Sequence, residues 1–234
     1  MREISSIELM IAINELKERL EGGRLRKFYD LGNNSFRFSF YKGTGVQLYC
    51  RLLHTFNETS FTEEADEATP FAMGVRKRLQ NSILTSIAQY GSDRILVLSF
   101  GDREYRLIIE MFGKGNMLIV NAENRIELCY RILKFKDRSM SVGSTYEVPK
   151  GTGTTFGNID ENTICDIMAS APQETKIITY LTRTLNIGPL YLEDIISGCG
   201  INPKATLAND AEKEHLSKAL LGFFKGITHY TARI

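Results

Sequence analysis

Residues 94–121 read RILVLSFGDREYRLIIEMFGKGNMLIVN. Three apolar runs, RILVLSF, YRLIIEMF and MLIVN, are separated by GDRE and FGKGN, two short glycine-bearing breaks. Branched and aromatic runs of this length, bounded by turn residues, read as strands, and GDRE is a good hairpin signal. SILTSIAQY (82–90) supplies a strand before them, and AENR (122–125) turns into IELCYRIL (126–133) after them. Strands joined by such hairpins pair antiparallel.

The same pattern extends towards the N-terminus. RLRKFYDL (24–31), SFRFSFY (35–41) and VQLYCRLL (46–53) alternate apolar and polar, with LGNNS and KGTG between them. NETSFTEEADEATP (57–70) is acidic and threonine-rich and reads as a loop. Two helices flank these strands. SSIELMIAINELKERLE (5–21) carries a helical stripe through Ile7, Met10, Ile11, Ile13, Leu16 and Leu20, and Gly22-Gly23 stops it. PFAMGVRKRLQNS (70–82) opens on a proline at the first helical turn. Residues 1 to about 150 are therefore α+β, with antiparallel sheet and two helices. PKGTGTTFGNID (149–160) is a linker, and ENTICDIMAS, TKIITYLTRTL, PLYLEDIISG and EKEHLSKALLGFFKGI beyond it are helices punctuated by Pro and Gly. The expected domains are 1–152 and 160–234.

The 234 residues are 43% hydrophobic and 24% charged, a composition able to bury a core. No stretch has the length of a membrane span, and MREISSIELM lacks a signal-peptide profile, so a cytoplasmic protein is expected. Cys50, Cys129, Cys165 and Cys199 are far apart without a CxxC, against a disulfide framework or a zinc finger. His54, His215 and His229 are isolated, so no metal site or cofactor is expected. No GxSxG or Cys-His arrangement points to catalysis. The net charge of +1 conceals a basic middle: residues 71–150 hold 13 Lys/Arg against 8 Asp/Glu, a net of +5. That admits a local anionic partner such as RNA, or an ordinary solvated face.

Several short stretches admit two readings. Gly113-Lys114-Gly115-Asn116 is either a phosphate-approaching loop or a tight turn between strands. Arg76, Lys77 and Arg78 lie about 100° apart around a helix, so at most two share a target; they contact phosphate or complement the helix dipole. LNIGPLYLEDIISGCGINP (185–203) is a helix–hairpin–helix whose second helix begins after Gly188, giving a backbone phosphate site or a plain αα connection. Asp93-Arg94 stands at the mouth of an apolar run, where neighbouring strand side chains point to opposite faces. The doublet either ends a strand in solvent or is presented to a partner.

The ordered motifs SSIELMIAINEL, GGRLRKFYD, PFAMGVRKRLQNSILTSIAQYGSDRILVLSF, EMFGKGNMLIVNAENRI and KDRSMSVGSTYEVPKG resemble the N-terminal half of the NFACT family over essentially the whole chain. That family includes the bacterial RqcH factors, the eukaryotic CAT-tailing factors and the archaeal fibronectin-binding protein A homologues; KDRSMSVGSTYEVPKG is similar to the archaeal and eukaryotic branch. The resemblance implies a glycosylase-like antiparallel β-sandwich with two flanking helices, followed by a small helix-hairpin-helix domain of helix–two-turn–helix type. It implies binding of tRNA on large ribosomal subunits carrying an obstructed peptidyl-tRNA, with tailing chemistry left to the ribosome. No enzyme activity, cofactor, membrane or small-molecule substrate is implied. The family's Asp-Arg pair falls on Asp93 and Arg94. Glu8 replaces the first-helix Asp of the family's S-x-L-D. The candidate nucleic-acid contacts are Asp93, Arg94, Glu8, Arg76, Lys77, Lys114, Asn116 and Gly188. The chain ends at Ile234, before the family's coiled coil and C-terminal domain, and is expected to be an N-terminal piece or a naturally short relative that binds tRNA weakly alone.

Two rivals share parts of this picture. A formamidopyrimidine-type DNA glycosylase would open on a catalytic proline followed by glutamate and carry a four-cysteine zinc finger. This chain opens Met1-Arg2-Glu3 and lacks the finger. A fibronectin-binding surface adhesin would need a route out of the cell.

Overall fold

The computed structural model describes residues 2–62, 68–101, 104–149, 156, 159–172, 174–206 and 210–229. Most of the 149–160 linker, part of the acidic loop and half of the GDRE turn lie outside the described residues. The chain divides into two compact units. One comprises Met1–Ile4, Glu8–Tyr90 and Arg94–Pro149; the other comprises Lys150–Ile234 together with Ser5–Ile7 and Gly91–Asp93.

In the first unit, α1 (Ser6–Leu20) stops where Gly22 takes φ +84°, a conformation that costs a side chain dearly. Its core-facing residues in this unit are Leu9, Ile13, Leu16 and Leu20, whereas Met10 and Ile11 are only half-buried. Ile7, Ile13, Leu16 and Leu20 of the expected stripe are buried, and Leu9, outside it, is buried as well. Four strands then form a meander: β1 (Arg24–Gly32), β2 (Ser35–Lys42), β3 (Thr44–Arg51) and β4 (Thr55–Glu58). Asn33 and Asn34 both adopt positive φ between β1 and β2, as the tightest hairpin turns demand. The strand β4 is new: its four residues are too few to show an alternation, yet Phe56 is buried in the core.

The helix α2 (Pro70–Leu79) is capped by Thr69, whose Oγ1 accepts from the Ala72 amide at 3.1 Å and donates to Asp30 Oδ2 at 2.9 Å. A second, five-stranded meander follows: β5 (Leu84–Gln89), β6 (Ile95–Phe100), β7 (Tyr105–Glu110), β8 (Asn116–Val120) and β9 (Ile126–Cys129). Both sheets and both helices feed one continuous apolar core, in which Phe28, Phe36, Phe71 and Tyr130 meet ring to ring at 5.0–6.0 Å.

The second sheet is also buried on its far face. Ile95, Ile108, Leu118, Val120 and Ile126 pack there with Met140 and Tyr146. That cover includes a short ribbon, β10 (Leu133–Lys134) and β11 (Ser139–Met140). An ion pair is sealed beneath it. Arg138 Nη1 and Nη2 donate to Glu110 Oε1 and Oε2 at 2.7 and 3.2 Å, and the Tyr146 hydroxyl donates to Oε1 at 3.0 Å.

The second unit is helical: α3 (Glu161–Ala169), α4 (Ile177–Leu185), α5 (Pro189–Gly198) and α6 (Asp210–His229). Its apolar interior draws on Ile164, Leu181, Leu192, Leu216 and Leu220. Asp160 caps α3 through the Thr163 amide at 2.7 Å, and the Thr163 hydroxyl and amide hold its carboxyl below the usual range. No helix among the described residues is long and apolar enough to cross a membrane.

Candidate nucleic-acid interface

In the doublet, each residue is held by a different neighbour. Arg94 immediately precedes β6, and its carbonyl accepts from the Met111 amide at 2.8 Å. Its Nη1 donates to Glu3 Oε2 at 2.6 Å and to the Ile4 carbonyl at 3.4 Å. The Arg94 side chain is 29% exposed and that of Glu3 is 49% exposed. Among the described residues both contacts leave from Nη1, so Nε and Nη2 remain uncommitted on a half-open guanidinium. A planar fork with one edge anchored and the other open suits a phosphate or a base edge.

Asp93 belongs to the helical unit. Asn186 Nδ2 donates to Asp93 Oδ1 at 2.9 Å and to the Ser92 carbonyl at 2.7 Å. Asn186 ends α4 in the left-handed conformation, φ 53°, and its carbonyl accepts from Ser6 Oγ at 2.5 Å. Ser92 in turn accepts from the Phe156 amide at 2.7 Å. Partial burial pushes the Asp93 carboxyl up from its ordinary value, and the Asn186 hydrogen bond offsets part of that. The helix-ending Asn186 is thus the support that fixes the Gly91–Asp93 turn.

The other candidates are dispersed. Glu8 is half-buried on α1 and ion-paired with Arg2. Arg76 Nε donates to the Phe28 carbonyl at 2.8 Å while its guanidinium lies 5.2 Å from the Tyr29 ring centre. Lys77 is exposed, and Arg78 donates to the carbonyls of Gly74 and Glu127. The tripeptide thus points three ways, as the helical rotation requires. Lys114 is exposed at the tip of the β7–β8 turn, where Gly113 and Gly115 both take positive φ. The carbonyls of Lys114 and Gly115 accept from Arg131 Nη1 at 2.7 and 2.8 Å, so this is a tight turn pinned by an arginine. Gly188 precedes α5 and accepts from the Tyr191 amide at 3.2 Å. A Cβ there would sit 3.3 Å from the Ser5 Cβ, so a larger residue would have to displace Ser5 by a few tenths of an ångström.

Asn116 requires a correction. It is fully buried, and its amide is saturated: Nδ2 donates to the Arg131 carbonyl and Met140 Sδ, while Oδ1 accepts from the amides of Met117 and Arg131. It braces strand β8 from inside and cannot reach a polynucleotide. Arg76, Arg78, Arg106, Arg131 and Arg138 are all committed to acceptors within the fold. Lys77, Lys114, Arg125, Lys134 and Lys136 are the exposed cations among the described residues of 71–150.

A family model described as NFACT N-terminal and middle domains matches residues 5–234. The chain belongs to the NFACT family. This NFACT chain is 30% identical over 161 residues to ribosome quality control complex subunit 2 of Schizosaccharomyces pombe, covering 64% of itself and 16% of that protein. It is 26% identical to the archaeal Rqc2 homolog aRqcH of Methanocaldococcus jannaschii, over 96% of itself and 35% of that protein. It therefore spans about a third or less of the curated relatives named here. In fold, it is similar to the fibrinogen binding protein from Staphylococcus aureus, with a TM-score of 0.76, 18% identity and coverage of 97% of this chain and 83% of that one. A looser likeness, with a TM-score of 0.50 and 16% identity over 96% of this chain and 81% of that one, extends to a formamidopyrimidine DNA glycosylase from Lactococcus lactis. The glycosylase likeness is one of fold only, an antiparallel-sheet region followed by helices.

Proposed function

We propose that this chain is the tRNA-binding N-terminal module of a ribosome-associated quality-control factor. In that role it engages obstructed large ribosomal subunits and recruits tRNA for C-terminal tailing of stalled nascent chains. Membership of the NFACT family supports the setting. The observation that carries the local reading is Arg94, whose guanidinium is anchored through Nη1 and half-open elsewhere. Glu3 orients the arginine without burying it, and Asn186 holds the turn that precedes it. Arg94 addresses phosphate or a base edge, Asp93 shapes the approach, and Lys77 and Lys114 supply longer-range attraction. Under this reading the first unit is a glycosylase-like sandwich spanning 1–152, and 160–234 is a helix-hairpin-helix domain. The module works without catalysis in the cytoplasm, and contacts with the ribosomal subunit come through the rest of the factor.

The decisive experiment measures binding of bulk tRNA at several salt concentrations, for wild type, Arg94→Ala and the Asp93→Ala/Arg94→Ala pair. Loss of one phosphate contact should weaken binding and lower the slope of log K against log salt by about 0.7–0.9. The melting transition of Arg94→Ala should be unchanged, because Glu3 is left in water. Equal affinity and slope in wild type and variants would remove this site.

A further inference from the structure

The outer face of the first sheet carries a row of side chains that runs across all four strands. Register places Tyr29 opposite Arg37, Arg37 opposite Tyr49, and Tyr49 opposite Asn57. Partners in register share a face, so β2 presents Arg37 here while Phe36 and Phe38 go to the core. An arginine on such a face is ordinarily solvated. Arg37 is instead 4% exposed.

Its contacts do not match its charge. Nη1 donates to the neutral Gln47 Oε1 at 3.1 Å, and the guanidinium lies 4.2 Å from the Tyr29 ring centre. Nε is buried without a hydrogen-bond partner. Among the described residues no carboxylate forms an ion pair with it. Arg76 lies against the same Tyr29 ring at 5.2 Å, adding a second cation rather than an anion. With no carboxylate partner among the described residues, a desolvated guanidinium is an expensive arrangement, and cation–π contact recovers only part of the cost.

Beside Arg37 is a cavity of about 360 Å³, within the size range of small-ligand sites. Arg37, Tyr49, Thr55, Asn57, Thr59 and Phe61 line it, and Arg37 supplies the only formal charge among the described lining residues. The neutral polar groups are largely engaged with one another. The Tyr49 hydroxyl meets Ser35 Oγ at 2.8 Å, Thr55 Oγ1 donates to Asn57 Oδ1 at 2.7 Å, and Asn57 Nδ2 donates to the Glu58 carbonyl at 2.5 Å. Thr59 Oγ1 accepts from the Phe61 amide at 3.1 Å, which leaves its proton for a ligand. Phe61 is 74% exposed, an open ring beside the cavity.

We infer that this cavity binds a phosphorylated nucleoside, with the phosphate neutralising Arg37 and the base lying on Phe61. The guanidinium fork matches a phosphate, and an exposed ring beside it matches a base face. The ligand is either a free mononucleotide or the terminal nucleotide of an RNA; both carry the same group. This inference does not rest on the tRNA reading and does not use Arg94, so either can fail while the other stands.

The test titrates the 234-residue chain with inorganic phosphate, each of the four ribonucleoside monophosphates, and a four-nucleotide RNA bearing a 5′-phosphate. Affinity is read by calorimetry and by ligand-induced shifts of the Arg37 Nε–H resonance. Wild type should saturate with at least one nucleotide and bind it more tightly than phosphate. Phe61→Ala, a change at an exposed ring, should lose at least about fivefold in affinity without a change in melting. Arg37→Met should abolish the nucleotide-induced rise in melting temperature, yet without ligand it should melt at or above wild type because it removes a buried charge that has no carboxylate partner among the described residues. Arg37→Lys keeps the charge without the fork and should bind with intermediate affinity. A free mononucleotide that binds as tightly as the RNA identifies the former as the ligand; tighter RNA binding with the same Arg37 dependence identifies the latter. No saturation up to about 10 mM, equal binding by wild type and Arg37→Met, or phosphate binding as tightly as every nucleotide would each overturn the assignment.

Discussion

Replacing Arg138 with leucine should destabilise the sheet unit more than any loss of a surface charge. Glu110 is 3% exposed and Arg138 9% exposed at the side chain, and two parallel hydrogen bonds of 2.7 and 3.2 Å join them. Arg138→Leu keeps the apolar contact with Phe135, whose ring centre lies 4.9 Å from the guanidinium, and removes the charge. Among the described residues Glu110 is then left with the Tyr146 hydroxyl as its side-chain donor. Stranding one member of a buried pair costs about 3–5 kcal/mol, against a typical total stability of roughly 5–15 kcal/mol. At about 2–4 °C per kcal/mol for a chain of this size, the melting temperature should fall by roughly 6–20 °C. Calorimetry gives the shift. Hydrogen exchange locates it: the amides of Leu133, Lys134, Ser139 and Met140 should lose protection first, because Arg138 fastens their ribbon. Adding Glu110→Gln to Arg138→Leu should recover most of the loss, since neither charge then remains buried. A single variant melting within about 2 °C of wild type, or a double variant no better than the single, would refute the claim that this pair is sealed from water.

Two further outcomes follow from burial of titratable groups and from the Asn186 support. Burial pushes the Cys50 thiol from 9.0 up to about 12. Burial and the Glu110 carboxylate push the Tyr146 phenol well above its ordinary 10.0. Both groups are neutral when protonated and release protons more readily in the unfolded chain, so their contribution to stability is complete below those ordinary values and is lost as pH rises through the folded ones. Unfolding at stepped alkaline pH should show this decline, Cys50→Ala should remove the part beginning near pH 9, and a flat profile would contradict both assignments. Asn186→Ala forces alanine to φ 53° and deletes the bonds to Ser92 and Asp93, at a cost of about 2–4 kcal/mol to the helical unit. Asn186→Gly keeps the backbone and should cost less by urea unfolding; a glycine variant no more stable than the alanine one would show that the left-handed cap is unimportant.

Elements embedded in a longer apolar run, β9 included, were legible in the sequence, and short ones without such a run were not. The strands β2, β5, β6, β7 and β8 each carry a run that names its state, while β4, β10 and β11 span four, two and two residues and carry no period. The outward placement of Arg37 could be read from the alternation SFRFSFY. Its burial could not, because the cavity beside it is completed by residues from beyond β4, such as Thr59 and Phe61. Polar residues at turns carry the least local signal: Asn116 follows two glycines like a loop residue, yet it holds a strand from within. The Asp93-Arg94 doublet stood out through the resemblance, whereas Glu3 lies 91 positions from Arg94 and has no local signal. Asn186 was recoverable in principle, since an Asn directly after the last apolar residue of a helix is a common left-handed cap.

The distribution of cations bears on how an RNA-binding module of this kind would have to work. The excess of +5 in residues 71–150 falls short as an electrostatic footprint, because many of its arginines hold carbonyls, an amide oxygen or Glu110. Removing one of those arginines should damage the fold before it weakens an RNA complex, so a charge-reversal scan of this segment would confound stability with binding. The exposed lysines and the half-open Arg94 are the informative positions. With five exposed cations among the described residues of 71–150, the isolated chain should release few counterions on binding through this segment and hold RNA weakly at physiological salt. Under the proposed function, affinity then comes from joining this module to the rest of a longer factor, which raises the effective concentration of tRNA beside it without any new contact here. Joined to such a longer factor, the module should bind more tightly while the fractional effect of Arg94→Ala stays unchanged; if that effect vanished in the fusion, Arg94 would be a contact only of the isolated module.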